Sequence, residues 1–446
     1  MELTRIIADF IIETKQADIP QNVYEHAKIA FLDWVGVTMA GQNDPLVKKL
    51  IKHADYMGSH DQASIFGHGI KKSLTQAALI NGAASHALDY DDTLFSFLGH
   101  PSVTMFPALL ALAEYNKKSG IDFLTAYIIG FKAGAVIGEC AGMDHYMHGW
   151  HATSTIGHFA SCAVCCRLMG LNTKQTQYAL GIAGTQASGL KISFGTMCKP
   201  FHAGKASHDG LLAAMLAKDG FTGAENILEG PLGFFQVLKG TIKNEVVNSL
   251  GKTWEIENLA QKYHASCHAT HSPIEAAVHI ITQENIALEN IKKIRVFCSQ
   301  LAIDAAGKTE PTTGLEGKFS IVYCVANALI SGNTGMQAFE DAKVLDPQTR
   351  KLMKKISILH DENMSGVETR LELETMQGET HTHFTDILKE IPVLEVKREK
   401  IKVKFCDLCT PVLGKAATDK LAETILSLEK SGNMKLIAEI LQKPEF

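Results

Sequence analysis

The sequence predicts a mainly α-helical protein in which a large all-helical domain is joined to a smaller α+β domain. Three observations carry that expectation. The chain has 446 residues, more than one hydrophobic core usually serves, so two domains are the default. Up to about residue 260, apolar residues return at spacings of three and four and strand-like alternation is scarce. Beyond Thr270 that regularity gives way to short stretches alternating at period two.

The first region reads as successive helices over Val23–Trp34, Ile121–Gly138, Thr155–Met169 and Thr173–Ala187. Asp122 and Asn172-Thr173 offer helix starts, and Gly120 and Gly170 offer stops. In the later region Ser272–Ile281 and Phe319–Leu329 read as helices, and Ile291–Cys298 as a strand. Val367–Thr375 alternates strictly, and Met376-Gln-Gly-Glu379 supplies a turn before Thr380–Phe384, which predicts a sheet with one solvated face. Helix resumes over Lys402–Leu428. The expected division is 1–265 with 397–446 for the helical domain and 266–396 for the α+β domain.

Composition narrows the function classes. A formal charge of -5 without a compact block of Lys and Arg leaves no electrostatic footprint for nucleic acid. The amino-terminal run lacks a secretory pattern, and apolar runs such as Phe123–Phe131 fall short of a membrane span, so a cytoplasmic protein is expected. Ten scattered cysteines fit reduced thiols. The two CxxC matches, Cys162–Cys165 and Cys406–Cys409, read as core packing because the first lies within a helical run. Phosphate-binding, dinucleotide-binding and serine-elbow motifs are absent.

Four clusters carry chemistry. Between two apolar segments, Ser85–Ser102 gathers Asp89, Asp91, Asp92, His86, Thr93 and His100. Burying carboxylates there is costly unless they are paired or used, and His with Asp in a cleft gives acid/base groups. A capping role for Asp92 and Thr93 is the plainer alternative. The run Asp144–His158 places His151 ahead of a Thr/Ser-rich helix start, suited to an anionic ligand. Although His145, His148 and His151 are three apart, Gly149 breaks the helix that a metal face would need. In Phe194–His208, Lys199 and His202 are expected in a loop leading into a helix at Gly210, a place for a carboxylate. Lys262–His271 holds Lys262, Cys267 and three histidines at the expected domain junction.

These clusters in this order, with Phe319–Ala326, resemble the MmgE/PrpD family over essentially the full chain. That family includes 2-methylcitrate dehydratase, cis-aconitate decarboxylase and iminodisuccinate epimerase. The resemblance implies a helical domain with an α+β lid, a homodimer, and no metal or organic cofactor. Motif by motif, Asp-x-Asp-Asp-Thr places Asp89 and Thr93 in the pocket, Gly-His-Pro-Ser places His100, and Gly-Trp-His places His151. The Lys-Pro-x-His-x-Gly segment contributes Lys199 and His202, the following motif Lys262, and Tyr323 matches a lyase-type tyrosine. Cys267 stands where decarboxylase-like members have a histidine, a departure that weakens a decarboxylase reading.

The shared chemistry implied is proton movement at a carbon next to a carboxylate in a small polycarboxylate. Asp89, His100, His151 and Tyr323 are the expected proton-transfer groups, and Thr93, Lys199, His202, Lys262 and Cys267 the expected substrate contacts. The leading reading is a cofactor-independent dehydratase or decarboxylase on a di- or tricarboxylate, with no nucleic-acid or membrane partner. Gly-Trp-His-Ala-Thr-Ser-Thr and the Phe194 neighbourhood also look like the epimerase branch, which stands as the alternative. A silent scaffold has no need of this residue set, and a metal hydrolase is a third class that metal analysis decides.

Overall fold

The computed structural model describes residues 2–442. It is mainly helical, and the chain divides into two compact units: residues up to Gln261 with those from Leu394 onward, and Lys262–Val393.

In the first unit three of the four expected helices are longer than their sequence signals, and Thr173–Gly184 ends three residues short of the expected Ala187. Gln21–Gly41, Leu74–His86, Ser102–Tyr115, Gly120–Met147, Ala152–Met169 and Cys198–Lys218 pack around buried Phe31, Trp34, Phe106, Phe123 and Tyr127. Phe106 stacks on Tyr127 at 3.9 Å between ring centroids. Caps set the ends: Asn172 and Gln175 form a reciprocal capping box, and Gly170 closes the Ala152–Met169 helix in the left-handed conformation. Gly120 is not a stop. It opens the next helix with Ser119 as its cap, and a side chain there would meet the Leu428 carbonyl oxygen at 1.9 Å.

Two further expectations are corrected. The apolar run at Phe123 extends into a 28-residue helical stretch, Gly120–Met147, kinked at Gly142 (φ 73°) and by length and composition able to cross a membrane. However, 89% of its apolar window is buried inside the protein, and mid-helix Lys132 is tied to Glu255 at 2.7 Å and Ser249 at 2.8 Å. It is a core helix. A short antiparallel hairpin, Ala63–Ile65 with Ile70–Lys72, also interrupts the helical pattern, too brief to register as alternation.

One contact matters for the site. At the crossing of Leu74–His86 with Cys198–Lys218, a Cβ on Gly204 would lie 2.2 Å from the Leu79 carbonyl oxygen, and one on Gly82 would lie 2.7 Å from Gly204 Cα. Backbones can approach this closely only where side chains are missing. The end of one helix, at His86, is thereby held against the start of the other, at Lys199.

The second unit is built on a four-stranded sheet ordered Ile356–His360, Ile291–Cys298, Thr369–Thr375, Thr380–Thr385. Its first pair is parallel and the others antiparallel. Thr369–Thr375 alternates buried and half-buried positions as its sequence alternates, and the His271–Glu284 helix packs on it and on Thr380–Thr385.

Candidate active site

The Leu74–His86 helix ends at His86 and the chain turns sharply. Asp89 adopts φ 51°, a left-handed conformation that costs a non-glycine residue energy and collects at functional sites. Thr93 then exchanges backbone hydrogen bonds with Ala260, at 2.8 and 3.0 Å, which pins the segment.

The three carboxylates of this run face three environments. Asp91 is buried; its oxygens lie 2.9 and 3.0 Å from His86 Nδ1, and 2.9 Å separates its Oδ2 from His100 Nδ1. Burial would raise its pKa, but the two imidazoles outweigh that and hold it well below the usual carboxylate range. Asp92, equally buried, accepts from the backbone N–H of Ser102 at 3.3 Å and from its hydroxyl, which in turn lies 2.7 Å from the Tyr127 hydroxyl. Burial, then the nearby Asp33 charge, pushes Asp92 up to about 8. So Asp92 takes the capping role, at the start of Ser102–Tyr115. Asp89 is half-exposed and receives the Lys199 ammonium at 2.8 Å, with His100 Nε2 3.7 Å away.

Support comes from far along the chain. Lys404 lies 2.6 Å from Asp33 and donates to the Tyr90 carbonyl, and Lys397 donates to the Leu259 carbonyl at 2.8 Å. Nothing in the local sequence announces these lysines.

Lys199 and His202 are not in a loop, contrary to the expectation from sequence. The helix opens at Cys198, with Pro200 tolerated in its first turn, so both residues sit on its first turns. His202 Nδ1 lies 3.0 Å from His151 Nδ1, and His151 itself immediately precedes the Ala152–Met169 helix. The His151 backbone N–H donates to the Gly189 carbonyl at 2.9 Å, and Phe194 meets the His151 ring edge-on at 4.9 Å. Rings of His86 and His100 are 4.5 Å apart, and those of His86 and His151 6.2 Å. Burial lowers the pKa of His100 to about 4 and takes His151 well below its ordinary value, helped for His151 by His86 and Lys199. These rings are therefore neutral near pH 7 and able to accept protons.

Thus Asp89, His100, His151, Lys199 and His202 converge, joined by His86 and Asp91, whose part no spacing rule singled out. His86, Asp89, Asp91 and His100 offer ligand atoms within 4.8 Å of one another, a set that could hold a metal ion. Their charges are already answered: Lys199 on Asp89 and two ring nitrogens on Asp91.

The remaining expected residues lie in the second unit. Lys262 is buried and Cys267, half-buried, donates its backbone N–H to Lys318 at 2.9 Å. His271 is held well below its ordinary pKa by burial and by His268, His264 and Lys262. Tyr323 is buried with its hydroxyl on the Ala338 carbonyl, which engages its only hydrogen.

Family models decide the affiliation. The MmgE/PrpD N-terminal domain matches residues 5–246 and the MmgE/PrpD C-terminal domain residues 264–430. The chain belongs to the MmgE/PrpD family. Its relatives include a cis-aconitate decarboxylase-like protein of Aspergillus oryzae, 28% identical over 97% of this chain and 95% of that protein. The cis-aconitate decarboxylase of Mus musculus is 24% identical over 99% and 94%. A probable 2-methylcitrate dehydratase of Saccharomyces cerevisiae is 25% identical over 82% and 77%.

Proposed function

We propose that this MmgE/PrpD-type lyase acts on a small tricarboxylate by moving a proton at the carbon next to a carboxylate, without a cofactor. The observation that carries the reading is the convergence of the Lys199 ammonium and half-buried His100 on Asp89, with buried His151 on the far side of His86 and both imidazoles neutral. A fixed cation draws in a carboxylate, and neutral imidazoles exchange protons at physiological pH. The names of the full-length relatives make decarboxylation of cis-aconitate the first reaction to test.

In that reaction the bond to one carboxylate breaks and the group leaves as carbon dioxide. Its electron pair stays on the carbon skeleton, delocalised toward a remaining carboxylate, and one proton is taken up at carbon. Lys199, with Thr93 and His202, holds carboxylates and steadies the charge that develops. His100, neutral at rest, relays the proton: its Nε2 takes one up from solvent past the half-exposed Asp89 and passes it to the carbon. Dehydration uses the same groups in the other sense: an imidazole takes the proton from carbon, and the hydroxyl leaves as water after gaining one.

Cys267, where decarboxylase-like members have a histidine, favours a second reading, dehydration or epimerisation. Incubating the purified protein with cis-aconitate, 2-methylcitrate and iminodisuccinate separates the three. Released carbon dioxide, new alkene absorbance, or loss of optical rotation at constant mass identifies the reaction, and activity should survive prolonged chelation. Failure to turn over any of them would overturn the reading.

A further inference from the structure

A carboxylate only accepts hydrogen bonds, and that constrains the rings around Asp91. His86 Nδ1 hydrogen-bonds its oxygens at 2.9 and 3.0 Å, and His100 Nδ1 lies 2.9 Å from Oδ2 but off the line of a hydrogen bond; a ring lone pair that close to a carboxylate would be repelled, so both nitrogens carry the ring hydrogen. A neutral imidazole has one such hydrogen, which leaves the lone pair of both rings on Nε2. His86 Nε2 is buried without a hydrogen-bond partner, and His100 Nε2 faces Asp89 from 3.7 Å. Asp91 is thus the common support of two histidines whose free nitrogens are both Nε2.

We propose that Asp91 is a positioning residue which locks His100 as the Nδ1–H tautomer, making Nε2 the atom that exchanges the proton, and that His86 shares Asp91 to keep His100 neutral. The second half follows from electrostatics. A buried carboxylate devoted to one imidazole favours its charged form, which can no longer accept a proton. Divided between two rings, it orients both and favours the charged form of His100 less. His100 is faced by Asp89, Asp91, His86 and Lys199, with His151 beyond His86. Among these Lys199 also opposes a charge on the ring, and burial outweighs Asp91, consistent with the depressed basicity of His100. This inference rests on the reading that His100 moves the proton.

Nitrogen-15 spectra of histidine-labelled full-length protein test it directly. His100→Gln and His86→Gln difference spectra identify the two rings. Both should show a protonated Nδ1 and an unprotonated Nε2 near pH 7. Protonated Nε2 on His100 would overturn the proposal whether or not any variant folds. Asp91→Asn should lower kcat by about 10²–10⁴-fold with KM within about threefold, and redistribute the His100 tautomers. His86→Gln should leave the Nδ1–H tautomer and move the acid limb of the kcat/KM profile to higher pH. Wild-type kcat and tautomer in Asp91→Asn would also overturn it. Because the spectra need no substrate, inactivity on the three candidate acids with the predicted tautomers would sink the lyase reading alone.

Discussion

Two buried aspartates of the helical unit are each contacted by two imidazoles, and they differ in what is left over. Asp209 contacts His158 Nε2 at 3.0 Å, His208 Nδ1 at 2.8 Å and the Lys205 ammonium, while His158 Nδ1 lies 2.7 Å from the Ser154 carbonyl. Every polar atom of His158 is used, and the cluster ties the Ala152–Met169 helix to Cys198–Lys218. Around Asp91 the same residue types leave nitrogens unspent: His86 Nε2 is unpartnered and His100 Nε2 faces Asp89 at 3.7 Å. Saturated clusters hold a fold, whereas unsaturated ones retain capacity for a ligand. An Asp–His pair is thus no signature of catalysis by itself.

The largest expected effect breaks the saturated cluster. Asp209→Ala leaves three cationic or imidazole groups without their buried carboxylate and should cost about 3–5 kcal/mol of stability. A urea titration should show a lower midpoint at unchanged slope, with the folded fraction still active. Loss of activity in fully folded protein would erase the contrast with Asp91.

A smaller effect tests the neighbouring carboxyl. Asp92 is raised to about 8, so the folded state holds a proton that an unfolded aspartate releases near pH 4. Its contribution to stability is full below that lower pH and declines as pH rises toward about 8. Asp91 and Asp209, both depressed, behave oppositely: their contributions are present above the ordinary carboxylate range and fade as acid is added. Asp92→Asn should therefore flatten the fall in urea midpoint between about pH 5 and 8 while leaving the acid limb in place. Parallel curves for the two proteins would show that Asp92 is ionised in the fold.

Much of this architecture was legible in the sequence because local signals agreed with the packing. Gly170 and Asn172 mark a real helix boundary, and the alternation of Thr369–Thr375 matches its burial. The family resemblance, read from ordered motifs, is shown by matches to both of its domains. Where the reading failed, a local signal misled. Pro200 and Gly204 suggested a loop before Gly210, yet Pro200 occupies a first turn and Gly204 serves helix contact. The apolar run at Phe123 stops at Lys132, so the longer buried stretch was not visible; the lysine's partner Glu255 lies 123 residues away. Nor could spacing tell Asp91 from Asp89 and Asp92, since their different fates depend on His86, Lys199 and Ser102 arriving from three helices.

The central claim is that the unspent nitrogens around Asp91 mark the catalytic centre, and His100→Gln tests it most directly. Glutamine preserves much of the side chain's volume and polarity but cannot shuttle a proton. With the substrate the wild-type enzyme turns over, kcat should fall by about 10²–10⁴-fold while the thermal midpoint stays within a few degrees. Wild-type turnover, or an activity loss explained wholly by unfolding, would contradict the account.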